Sequence, residues 1–145
     1  MIVTHFPEPS FTIKTEKGRE LILDTLRKKW VRLTPEEWVR QNFVQYLIKV
    51  HQYPASLIAL EKEIMLGELK KRFDILVYNT KHQPWMMIEC KASSVLLDQK
   101  VFDQLLRYHQ AVPVCYLLIT NGAYTYGWKK TGNELELIRS IPVPV

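Results

Sequence analysis

Two cysteines in 145 residues, Cys90 and Cys115, are too few and too far apart for a disulfide framework or a four-cysteine zinc site. Both lie in apolar runs, so reduced, buried thiols are expected. Five glycines form no GxxxxGKS/T or GxGxxG loop, and His5, His51, His82 and His109 make no HxxH or HExxH pair. P-loop enzymes, dinucleotide enzymes and zinc proteases are thereby excluded. No apolar run approaches the roughly 18 residues of a membrane span, and MIVTHFPEPS lacks the basic-then-apolar pattern of an export signal. A cytoplasmic protein without a membrane partner is the expectation.

What is present suits a single folded unit over residues 1–145. Hydrophobic residues make up 47% and charged residues 24%, enough apolar surface for a core and too little charge for disorder. Twenty Lys and Arg against fifteen Asp and Glu leave +5, which permits a polyanionic partner without demanding one. There is no internal repeat and no low-complexity tract.

Residues 10–16 and 19–25 alternate around Lys17-Gly18 and predict a β-hairpin, an N-terminal extension over 1–25. Arg27-Lys28-Lys29-Trp30-Val31-Arg32 reads either as a solvated linker anchored by Trp30 or as a phosphate-contacting stretch. Thr34-Pro35-Glu36-Glu37 starts a helix over about 35–50, with Thr34 as cap and Glu37 closing a capping box. Strands are predicted over 57–66, 72–78 and 85–91, then a helix over 98–111 with Val101, Phe102, Leu105, Leu106 and His109 on one stripe. The apolar run 114–120 reads as a strand covered on both faces. A closing hairpin follows, with its last strand and a Pro-containing tail over 131–145. Tyr124, Tyr126 and Trp128 of that hairpin form either a packed sheet face or a base-stacking platform.

The chemistry-bearing residues concentrate in the middle hairpin. Asp74 opens one apolar strand, while Glu89 and Lys91 share a face of the next, with Cys90 turned the other way. Antiparallel pairing through the 79–84 turn puts Asp74 close to Glu89. Two carboxylates can hold Mg²⁺, a lysine can position a water, and the Cys90 backbone carbonyl can add a hard oxygen ligand. The spacing is weak by itself: the chain has three acid-x-Lys triplets, against about one expected by chance. Context separates them, because Glu68 follows a turn glycine and Asp98 suits a helix cap, whereas Glu89 lies inside a strand, where an unpaired carboxylate is costly. A cross-strand salt-bridge cluster is the competing account of the trio.

Asp74, Glu89-Cys90-Lys91 and Gln104 through Tyr108, in helix, three strands, helix, strand order, resemble the PD-(D/E)XK nuclease superfamily. The Gln-x-x-x-Tyr element is similar to that of its RecB-like branch. TPEEWVRQ, KRFDILVYNT, IECKA, QLLRYH and ITNG together resemble the N-terminal domain family of type I restriction enzyme R proteins, over a core of roughly 26–130.

The resemblance implies an α/β restriction endonuclease-like core, a mixed sheet flanked by helices, and an Mg²⁺-dependent DNA endonuclease in which Mn²⁺ can substitute. It makes Asp74 and Glu89 metal ligands, Lys91 the base or water-positioning group, and Gln104 and Tyr108 residues facing the active site or the DNA. Glu37 or Glu61 would be the further acid beside the metal. DNA is the implied partner, with restriction-modification subunits and a homodimer as further possibilities. The motor domains of such R proteins are not expected in this polypeptide, which has no P-loop. The rival expectation is a non-catalytic nucleic-acid-binding or protein-interaction module on the same fold.

Overall fold

The computed structural model describes residues 1–110 and 112–144. Its elements in chain order are β1 (Ile2–Val3), β2 (Ile13–Glu16), β3 (Arg19–Asp24), β4 (Lys29–Arg32), α1 (Pro35–Lys49), a 3-10 turn (Ala55–Leu57), β5 (Ile58–Leu66), β6 (Leu69–Tyr78), β7 (Pro84–Cys90), α2 (Gln99–His109), β8 (Tyr116–Thr120), β9 (Tyr124–Thr131) and β10 (Glu134–Ile138). A seven-stranded sheet runs β1-β9-β8-β7-β6-β5, with β10 also paired to β9, and β2-β3-β4 form a separate three-stranded sheet. Only β7 and β8 pair in parallel among the described strands. A parallel pair needs a crossover, and α2 supplies it.

The helices cover opposite faces of the large sheet. The Oγ1 of Thr34 accepts the Glu37 N–H at 3.0 Å, and Pro35 occupies the first turn, where its missing N–H costs nothing. Val39, Phe43, Tyr46 and Leu47 of α1 then meet Ile75, Val77, Met86, Ile88 and Cys90. Each large apolar side chain so buried contributes about 1.5–3 kcal/mol. On the other face Asp98 caps α2 by accepting the Val101 N–H at 3.1 Å, and Leu105, Val101 and Phe102 pack on Ile119, Tyr126 and Trp128. The rings of Tyr126 and Trp128 lie 4.6 and 5.4 Å from Phe102, so these two are packed; Tyr124 is exposed.

The mixed α/β architecture agrees with the sequence, and four details depart from it. Residues 29–32 are a strand rather than a linker: buried Asp24 accepts the N–H groups of Leu26 and Arg27, and Lys28 takes φ 56°, which together turn the chain back onto β3. The Glu37 side chain does not return to Thr34 to complete the capping box but goes to Arg27, Arg40 and Gln41. Cys115 is exposed, because Val112 and Val114 take the inward positions around it; Cys90 is buried as expected. β6 starts at Leu69, so Asp74 lies inside the strand and does not open it. The expected second helix reached Ala111 and the expected tail Val145, both outside the described residues. No described helix is long and apolar enough to cross a membrane.

Candidate active site

The level of Asp74 is where the large sheet loses its regularity. The β6–β7 register runs through Ile75↔Ile88, so one step further sets Asp74 opposite Glu89. The β5–β6 register pairs Leu60 with Ile75 and Lys62 with Phe73, which sets Glu61 opposite Asp74. Three carboxylates from three neighbouring strands therefore form one row. Glu61 has φ 53°, a left-handed backbone that a non-glycine residue adopts at a cost. Strict alternation also fails here. Phe73 lies against His109 of α2, ring centres 5.4 Å apart, and Leu76 belongs to the same cluster, although residues three apart should face opposite ways.

This irregularity turns the Asp74 carboxylate towards β7, where its Oδ2 accepts the Cys90 N–H at 2.7 Å. A cleft of about 280 Å³ opens beside it, lined by Arg72, Asp74, Glu89, Lys91, Gln104 and Tyr108, with Val101, Leu105, His109 and Ile119 as its inner wall. All five residues singled out as catalytic in the sequence therefore line one cavity. Lys91 lies just past the end of β7, its Nζ 3.7 Å from Glu89 Oε1. Tyr108 is half exposed, and the Lys71 ammonium sits 3.9 Å over its ring. Glu37 and Glu61 are not among the lining residues.

Both central carboxyls are held above their ordinary range. Burial raises Asp74, against the opposing Cys90 hydrogen bond and the Arg40 charge, with Glu36 and Glu61 adding to the rise. Burial also pushes Glu89 up, to about 7, helped by the Asp74 charge and opposed by Lys91. Two partly desolvated carboxylates side by side are under strain that a hard cation would relieve. Among the described residues, no three His, Cys, Asp or Glu side chains converge into a complete cage. A cation here would keep several waters, as Mg²⁺ commonly does.

Sequence reasoning missed the groups that hold this row in place. Arg40 is buried on α1. Its Nε donates to Glu37 at 3.0 Å, its Nη1 donates to Glu61, and Nη1 lies 3.8 Å from Asp74 Oδ1. These carboxylates outweigh the burial that would favour a neutral guanidine. Glu37 also accepts from Arg27 and Gln41, and Glu61 pairs with Arg72. Both acids named as possible ligands are thus engaged by guanidinium groups. Glu36, exposed in the first turn of α1, is the helix acid whose charge reaches both Asp74 and Glu89. The one available signal was Arg40 itself, a charge at the spacing of the buried helix face. His109 is 1% exposed, its Nδ1 lacks a hydrogen-bond partner, and burial together with Lys71 and Lys130 lowers it to about 4.

A family model described as type I restriction enzyme R protein N terminus (HSDR_N) matches residues 35–142, from the first turn of α1 to beyond β10. No curated protein matches the chain.

Proposed function

Because the chain belongs to the family of type I restriction enzyme R protein N-terminal domains, we propose that it is a divalent-cation-dependent DNA endonuclease of a restriction system, on a restriction endonuclease-like core of the PD-(D/E)XK type. The observation that carries this reading is the pair Asp74 and Glu89, both raised by burial, in one cleft with Lys91. When bound, Mg²⁺ or Mn²⁺ polarises a phosphoryl oxygen and lowers the pKa of a coordinated water.

Asp74 and Glu89 would hold the cation, with the Cys90 carbonyl as a further oxygen from the chain. Cys90 donates its N–H to Asp74 and so fixes which Asp74 oxygen is left for the cation. Lys91, tethered by Glu89, orients the attacking water and offsets charge on the phosphate. Gln104 and Tyr108, one turn apart on α2, line the outer wall where the DNA backbone would lie. Glu36, whose charge reaches both Asp74 and Glu89, would add to the negative field that a cation meets, whereas Glu37 and Glu61 are held by arginines. A second subunit or a restriction-modification partner would supply the second strand cut.

Plasmid DNA incubated with the protein and MgCl₂ or MnCl₂ is cleaved, and EDTA stops it. Asp74→Ala, Glu89→Ala and Lys91→Ala each lower the rate by at least about a hundredfold. Undiminished cleavage by Lys91→Ala overturns the assignment. Thermal melting gives an independent readout: MgCl₂ raises the Tm of the wild type and not that of Asp74→Asn. A second reading rests on the Arg40 guanidinium beside Asp74, which can neutralise the carboxylate row without a metal. On that reading the chain binds DNA in a salt-sensitive way, MgCl₂ leaves the Tm unchanged, and nothing is cut.

A further inference from the structure

The charge of the chain is unevenly distributed. Residues 13–32, the separate sheet β2-β3-β4, hold seven Lys and Arg against three Asp and Glu, a net +4 of the chain's +5. The body that carries the cleft is close to neutral. This sheet also lies outside residues 35–142, so the family match does not account for it.

Its two faces differ. Ile22 and Asp24 are fully buried on one side. Cross-strand partners share a face, and Leu21 pairs with Lys14 on one side and Arg32 on the other, Leu23 with Trp30, and Glu16 with Arg19, which puts these seven on the second face. Lys14, Arg19, Trp30 and Arg32 are exposed there, while Leu21 and Leu23 are half-buried beneath them. The Lys14 ammonium, 3.1 Å from Glu16 Oε2, stands 4.3 Å over the exposed Trp30 ring, so that ring face holds a surface cation that a ligand would have to displace. A surface depression of about 390 Å³ extends the patch along Glu16, Lys17, Arg19 and Leu21.

We propose that this face is a sequence-independent platform for single-stranded nucleic acid, with Lys14, Arg19 and Arg32 on successive phosphates and Trp30 stacked on a base. Cations spaced along neighbouring strands match a linear polyanion, and an exposed indole among them offers the sequence-tolerant stacking that single strands use. A base arriving on Trp30 displaces the Lys14 ammonium, which then meets the adjoining phosphate. The platform is separate from the cleft, and its binding does not depend on hydrolysis there.

Anisotropy of a labelled oligothymidylate, titrated in EDTA between about 50 and 200 mM salt, tests this directly. The wild type binds, with affinity falling as salt rises. The triple variant Lys14→Gln, Arg19→Gln, Arg32→Gln flattens the log-log salt slope by about 2, at about 0.7 per phosphate contact. Trp30→Ala weakens binding about ten- to a hundredfold with the slope unchanged, and Trp30→Phe restores most of it. Lys81→Gln with Lys100→Gln, on the exposed surface elsewhere, changes neither quantity. Asp74→Ala keeps full binding, which separates this outcome from loss of the hydrolytic reading. Failure of the wild type to bind, an unchanged slope in the triple variant, or binding to phosphatidylserine vesicles in place of the oligonucleotide overturns the proposal.

Discussion

Asp74 Oδ2 accepts a 2.7 Å hydrogen bond from the backbone N–H of Cys90, the residue that separates Glu89 from Lys91. A side chain on β6 thereby takes a backbone donor of β7. The bond holds the Asp74 carboxylate at the level of Glu89, while Cys90 sends its own side chain into the core beneath α1. One backbone group thus couples the core to the cleft. It also explains how Asp74 and Glu89 can lie in a sheet beside the fully buried Phe73, Ile75 and Ile88.

Glu89 should destabilise the fold at neutral and higher pH. Its carboxyl is raised from 4.5 to about 7, so between those values the folded chain holds a proton that the unfolded chain has released. Stability from this group is complete below about 4.5 and is lost as pH rises through about 7. The side chain is a quarter exposed, which screens the effect to about 1–3 kcal/mol. Glu89→Gln therefore raises the urea midpoint at pH 8 relative to wild type while removing cleavage. An equal midpoint for the two proteins at pH 8 counts against a strained carboxylate pair.

Arg40 is the structural counter-charge of the row. Removing it leaves Glu37, Glu61 and Asp74 without their shared buried cation, so Arg40→Ala costs about 3–5 kcal/mol by chemical denaturation. Arg40→Lys recovers little, because an ammonium cannot donate to Glu37 and Glu61 with the planar spread of a guanidinium. Full rescue by lysine would mean that charge alone, and not the fork, holds the acids apart.

The elements were readable from sequence where the determining interaction is local and leaves a recognised residue signal. The cap at Thr34, the turn at Lys17-Gly18 and the strand that carries Glu89 after the Trp85–Ile88 apolar run are set by neighbours in the chain, and each predicted feature lies where expected. β4 was not readable, because Lys28-Lys29 looks like solvent-facing chain until Asp24 is seen to turn it. Arg40 was overlooked because two of its three carboxylate partners, Glu61 and Asp74, come from β5 and β6, remote in sequence. The left-handed Glu61 has no local mark at all, since glycine is the residue that announces such a backbone.

Glu61 makes a clean backbone test. With φ at 53°, any residue with a Cβ carries about 1–2 kcal/mol of strain that glycine escapes. Glu61→Ala and Glu61→Gly both lose the Arg40 and Arg72 ion pairs, so their difference isolates the backbone. Gly should be the more stable of the two by about 1 kcal/mol in urea unfolding, the reverse of the usual order inside a strand. Alanine matching or exceeding glycine would show that the strand relaxes to ordinary geometry once the ion pairs are gone.

His109 gives the opposite pH slope to Glu89. Its imidazole is lowered from 6.5 to about 4, so between these values the unfolded chain binds a proton that the folded chain refuses. The stability it contributes is complete above about 6.5 and is lost as pH falls towards 4. Because the Glu89 slope overlaps this window with the other sign, the two partly cancel in the wild type. In the Glu89→Gln background the opposing Glu89 slope is gone, and the His109 contribution to lowering the pH from about 7.5 to about 5 should be a cost of about 2 kcal/mol. His109→Phe, which keeps a ring between Phe73 and Tyr108, should flatten that limb without moving stability at pH 7.5 by as much. An acid limb of unchanged steepness would mean that other groups, and not this buried imidazole, take up the protons that unfold the chain.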